Sequence, residues 1–231
     1  MKWPRPFYSV GVLYRIDSAD VSFLGTCFAY RTKSHFLTAA HCVDGLQGEQ
    51  IGITLPLIDH GGFIRLLGIT PHPSADLAIL ETAPVVKEEL APFIGVDPMA
   101  AWGWPVNALG YPEDAGENPD EGLDPTARYF SGHIQRMYTH QSKVGAYRYP
   151  AGELSFGAPA GLSGGPVFGA TDHYCVLGVA AENRDSFTYL RRIEEVREPG
   201  MEYKHHESEV IRYGIFVHLQ PLSDWLKAQI P

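Results

Sequence analysis

Cysteine is scarce: Cys27, Cys42 and Cys175 are the only three in 231 residues. An odd, low count rules out a disulfide framework and points to a reducing, cytoplasmic setting. No run of about 18 apolar residues occurs, so no transmembrane helix and no membrane partner is expected. Positive charge is also short, with 18 Lys and Arg against 27 Asp and Glu and a net charge of −9. That excludes nucleic-acid binding through a basic surface. Near the N-terminus, Lys2 and Arg5 precede an apolar stretch over 7–14. Pro4 and Pro6 interrupt it, Arg15 ends it, and no small-x-small cleavage site follows promptly. It reads as a first strand, not a secretory leader.

Turn formers, by contrast, are plentiful, with 24 Gly and 18 Pro. Strand-like runs recur over 9–16, 27–30, 51–55, 63–69, 77–80, 106–109, 130–137 and 176–180, punctuated by turns. Many short strands with regular turns argue for an all-β barrel or sandwich. The tail differs: Leu222, Trp225, Leu226 and Ile230 have helical spacing, with Ser223 or Asp224 as a cap. Two segments read as insertions. The acidic stretch 112–126 does not match a calcium loop, and no metal or cofactor is expected. The charge-dense stretch 183–212 reads as an exposed helix or hairpin excursion.

Three segments carry chemistry. Gly161-Leu162-Ser163-Gly164-Gly165-Pro166 sets a serine between glycines. A serine hydroxyl needs a base to take its proton and N–H donors for the oxyanion, and glycines let the chain turn tightly around both. Phe36-Leu37-Thr38-Ala39-Ala40-His41-Cys42 ends an apolar strand in small residues and a histidine. Ser74-Ala75-Asp76-Leu77-Ala78-Ile79-Leu80 puts an acid just before a buried strand, where it can orient an imidazole. Each is ordinary alone. Their order, His then Asp then Ser, gives them meaning.

In that order the segments resemble the chymotrypsin-like (trypsin-fold) serine peptidases, in their bacterial style. Gly25-Thr26-Cys27-Phe28, Leu109-Gly110-Tyr111-Pro112 and Tyr213-Gly214-Ile215-Phe216 extend the resemblance along the chain. It implies two six-stranded antiparallel β-barrels with a C-terminal helix, an N-terminal barrel over 1–100 and a C-terminal barrel over 101–231. It also implies a serine endopeptidase with His41, Asp76 and Ser163 as the triad, acting on a protein or peptide substrate. The oxyanion hole falls on the N–H groups of Gly161 and Ser163. Gly157, Ala158, Ala181 and Gly214 fall around the primary specificity pocket. No residue names a regulatory protein partner.

The pattern is broken in places. Leu162 stands where secreted members carry an aspartate that pairs with a newly cut amino terminus, so no such activation is expected. Ala181 replaces a serine that often supports the catalytic acid. Cys27 and Cys42 lie near a disulfide position of secreted relatives, yet free thiols are expected. Gly157 offers no charge for Lys or Arg, so cleavage after apolar residues is expected, with Glu153, Glu182 and Asn183 left as residues that add polarity by leaning inward. A catalytically inactive peptide-binding protein and an ester hydrolase are the competing readings.

Overall fold

The structure, a computed structural model, describes residues 5–17, 21–56, 62–113, 126–171, 174–198 and 201–231. Most of the acidic stretch 112–126 lies outside them. Strands β1 (Val10–Ile16), β2 (Val21–Ala29), β3 (His35–Thr38), β4 (Ile51–Thr54), β5 (Ile64–Pro71) and β6 (Ala78–Thr82) close into one barrel in the order β1-β2-β3-β6-β5-β4. After the short β7 (Gly95–Val96) come β8 (Pro105–Gly110), β9 (Arg128–Gln141), β10 (Arg148–Leu154) and β11 (Pro166–Gly169). Then follow β12 (Cys175–Val176), β13 (Gly178–Glu198) and β14 (Met201–His218). The second barrel runs β10-β14-β13-β11-β8-β9, and β12 pairs with β7 in parallel.

The core sorts by the strand period of two. In β1, Val10, Val12 and Tyr14 join a cluster that also holds Leu109, Phe168 and Ile215 of the second barrel, whereas Leu13 joins Phe36, Ile51 and Leu80. One face of each inner strand thus fills its own barrel and the other packs barrel on barrel. Val106, Ala108, Ile134, Leu162 and Phe216 form the third cluster, belonging to the second barrel. Full burial of both faces explains the nearly continuous apolar pattern of β1.

Two strands do not stand out in the sequence: β10 carries Pro150 and Gly152, and β11 begins at Pro166 and ends at Gly169. The 183–212 excursion is a hairpin. β13 and β14 stay paired from Gly178↔His218 to Glu198↔Met201. The C-terminal helix α1 (Ser223–Gln229) forms as expected, but neither Ser223 nor Asp224 caps it. Its N-cap is Leu222, entered from a 3-10 turn over Gln220–Leu222. The helix anchors back on the first barrel, with Leu226 and Ile230 buried and the Arg31 guanidinium donating to the Ile230 carbonyl at 3.0 Å.

Candidate active site

His41 lies in a single 3-10 turn, Ala40–Cys42, just after β3. The small side chains of Ala39 and Ala40 are buried, which lets this turn sit close against its surroundings. Asp76 comes from the segment between β5 and β6 and is fully buried. Its Oδ2 accepts from His41 Nδ1 at 2.7 Å and its Oδ1 from the His41 backbone N–H at 2.9 Å. Both hydrogen bonds that Asp76 accepts among the described residues therefore come from His41. A carboxylate facing Nδ1 fixes the proton there and leaves Nε2 for chemistry. Burial lowers the imidazole pKa, but the Asp76 carboxylate and the adjoining Cys42 more than offset this and raise it to about 10.

Ser163 sits between β10 and β11, in a loop tied to β13 by Gly164 N–H to Ala180 O at 2.7 Å and Ala180 N–H to Gly165 O at 2.8 Å. Its Oγ donates to the Ala181 carbonyl at 2.8 Å. Ala181 is able to accept because it is skipped in the β13–β14 ladder: Ala180 pairs with Phe216 and Glu182 with Ile215. This is a β-bulge, which frees one residue from sheet pairing. Leu162 is fully buried among Val106, Ala108 and Leu177, so apolar packing holds the loop.

The glycines of this loop are required. Gly161 has φ +91° and Gly164 φ +88°. A Cβ at Gly161 would stand 2.5 Å from the Tyr111 carbonyl, and one at Gly164 would run into the Thr26 carbonyl. Thr26, wholly buried in β2, reaches across from the first barrel. Its N–H donates to Ser163 O at 2.8 Å and its hydroxyl to Gly161 O at 2.8 Å, while Tyr111 N–H donates to that hydroxyl at 3.0 Å. With both loop carbonyls turned to Thr26, the N–H groups of Gly161 and Ser163 donate to no described residue. Two free donors next to a hydroxyl suit a developing oxyanion. Thr26 was missed in the sequence, although a hydroxyl inside an apolar strand is a signal worth reading.

Gly157, Ala158 and Gly214 come together, and Asn183 joins them. Gly214 N–H donates to Phe156 O at 2.6 Å. A Cβ at Gly157 would meet the Arg212 Cβ at 3.2 Å and Asn183 Oδ1 at 3.7 Å. Ala158 N–H donates to Asn183 Oδ1 at 2.7 Å, and Asn183 Nδ2 donates back to Ala158 O. The two acids left open by sequence are engaged elsewhere. Glu153 accepts from Arg136 at 2.6 Å. Glu182 is within 2.7 Å of His140 Nε2 and accepts from the Tyr149 hydroxyl at 3.1 Å and the Lys143 N–H at 3.3 Å. Burial, then Glu182, push the Tyr149 phenol well up, so it stays a neutral donor. Cys27, Cys42 and Cys175 form no disulfide. Among the described residues, no group of three or more His, Cys, Asp or Glu is placed to hold a metal ion.

A model of the trypsin-like peptidase domain family matches residues 25–179, a span that holds His41, Asp76 and Ser163. No curated protein matches the chain. Among solved structures, the Rv3671c protease of M. tuberculosis in its active form is 18% identical, with a TM-score of 0.59 over 92% of this chain and 77% of that one. Its inactive form gives 18% and a TM-score of 0.57 over 92% and 84%. The MamO protease domain of Magnetospirillum magneticum, in its apo form, gives 16% and 0.60 over 96% and 97%. At these identities the likeness is one of fold.

Proposed function

Because the chain belongs to the trypsin-like peptidase domain family, we propose that it is a serine endopeptidase in which Ser163 attacks, His41 moves the proton and Asp76 orients His41. The observation that carries this reading is the buried Asp76–His41 pair, 2.7 Å from Oδ2 to Nδ1, next to a serine loop with two undonated N–H groups. The reading divides the roles between two lobes, 1–100 and 101–231.

Turnover begins when Ser163 Oγ leaves Ala181 O and gives its proton to the neutral Nε2 of His41. Oγ bonds to the substrate carbonyl carbon, and the oxyanion is met by the N–H groups of Gly161 and Ser163. His41 then hands the proton to the departing amine, leaving an acyl-enzyme that water hydrolyses by the same steps. Gly157, Ala158, Ala181 and Gly214 border the pocket for the residue before the scissile bond. Its acids are held by other partners, so a buried substrate cation would find no counter-charge. That supports an apolar residue there. Three cysteines without a disulfide support a cytoplasmic location.

One observation favours the competing reading of a peptide-binding cleft without turnover: Ser163 Oγ is hydrogen-bonded to Ala181 and not to His41. Labelling with a fluorophosphonate probe separates the two. Wild type is expected to carry the adduct on Ser163 and Ser163→Ala to carry none. A folded wild-type protein that stays unlabelled and cleaves no peptide would decide for the binding cleft.

A further inference from the structure

We propose that the Asn183 side chain is the floor of the substrate pocket and restricts the residue before the scissile bond to glycine or alanine. The inference rests on the peptidase reading above and narrows its substrate class. Two segments meet at Ser163. One is the stretch from Phe156 through Ala158 that leads to the Gly161–Ser163 loop. The other is the strand that runs from Ala181 to Asn183 and supplies the acceptor of the serine hydroxyl. A substrate whose carbonyl carbon lies at Ser163 Oγ, with its oxygen toward the Gly161 and Ser163 N–H groups, must send its side chain between these segments.

Asn183 closes that space. Its amide is hydrogen-bonded at both ends to one residue, accepting from Ala158 N–H at 2.7 Å and donating to Ala158 O. Asn183 Oδ1 also stands 3.7 Å from the Cβ position of Gly157, so the amide lines the room that this glycine leaves. Behind it, Gly214 N–H is hydrogen-bonded to Phe156 O at 2.6 Å, and Gly214 is the ladder partner of Asn183. The backbone of this wall is held by the sheet, and its side chain by the two bonds to Ala158.

A leucine or phenylalanine entering here would have to expel the amide. Ala158 is buried, so its N–H and C=O would both lose their partner, which is costly for buried polar groups. A hydrogen or methyl side chain leaves both bonds intact. The long hairpin makes this possible: where β13 continues straight into it, Asn183 is held in register opposite Gly214.

The test compares second-order inactivation rates by peptidyl phosphonates that differ only in the residue before the phosphorus: glycine, alanine, leucine, phenylalanine and lysine. Wild type is expected to favour glycine or alanine over leucine and phenylalanine by at least about tenfold, the discrimination one or two methylenes can provide in a fitted pocket. Asn183→Ala is expected to erase or invert that preference. Asn183→Asp, which keeps the shape but loses the donor to Ala158 O, is expected to weaken it, and guards against a poorly folded alanine variant. Wild type that reacts fastest with leucine or phenylalanine, or variants with an unchanged profile, would overturn the inference alone. No reaction with any phosphonate or with a fluorophosphonate would overturn the peptidase reading and this one with it.

Discussion

The hydroxyl of Ser163 donates to the carbonyl of Ala181 at 2.8 Å, and among the described residues no hydrogen bond joins it to His41. The bulge at Ala181 leaves that carbonyl free to accept. The raised pKa of His41 favours its protonated form, which has no lone pair at Nε2 to accept the serine proton.

The first prediction is therefore an alkaline activity profile. Only neutral His41 can act as base, so kcat/KM should rise with pH through a group titrating above the ordinary imidazole value, toward about 10. Cys42→Ala removes one of the influences that raise it, so the inflection should move down. The same shift acts on stability. A folded-state pKa above the unfolded one stabilises fully below the unfolded value, and that contribution is lost as pH rises through the folded one. An inflection at or below the ordinary imidazole value in wild type would contradict the raised pKa.

Asp76→Asn should preserve the fold and lower turnover by about 10⁴, because an amide facing Nδ1 favours the wrong tautomer. Steady-state kinetics with circular dichroism checks both halves. A loss below about tenfold would mean that another group orients His41.

Thr26→Val keeps the shape of the side chain and removes its hydroxyl. Gly161 O and Tyr111 N–H then lose a partner in a buried place, at a cost of about 1–3 kcal/mol in urea unfolding. Turnover should fall more than KM rises, because the loop carrying the free N–H groups is no longer pinned. Unchanged kinetics with lower stability would leave Thr26 a purely structural residue.

Thiol titration under denaturing, non-reducing conditions should count three thiols, since Cys27, Cys42 and Cys175 form no disulfide. A count of one would mean that two of them had paired and would argue against a reducing location.

Much of the fold was legible because both of its periodicities are simple. The alternation around Val12, Leu13 and Tyr14 marks a strand buried on two faces, and Leu222, Trp225 and Leu226 mark the final helix. β10 and β11 were hidden because Pro150, Gly152, Pro166 and Gly169 read as turns when taken locally. In the site, the His41, Asp76 and Ser163 segments could be found by their neighbours and their order. The partners of Thr26 and Asn183 could not, since each acts on a residue far away in the chain: Thr26 on Gly161, and Asn183 on Ala158. Only the closing of the barrels brings such pairs together. Sequence spacing also left Glu153 and Glu182 open, because it does not reveal that Arg136 and His140 hold them.

The β13–β14 hairpin finally bears on how the molecule moves through solution. Residues 184–198 of β13 continue past the site, paired with β14 along their length. At about 3.3 Å per residue they extend roughly 50 Å. A 25.5 kDa chain drawn out in this way has more drag than a sphere of the same mass. It should elute early from a sizing column, and its scattering curve should carry a long tail in the pair-distance distribution even as a monomer.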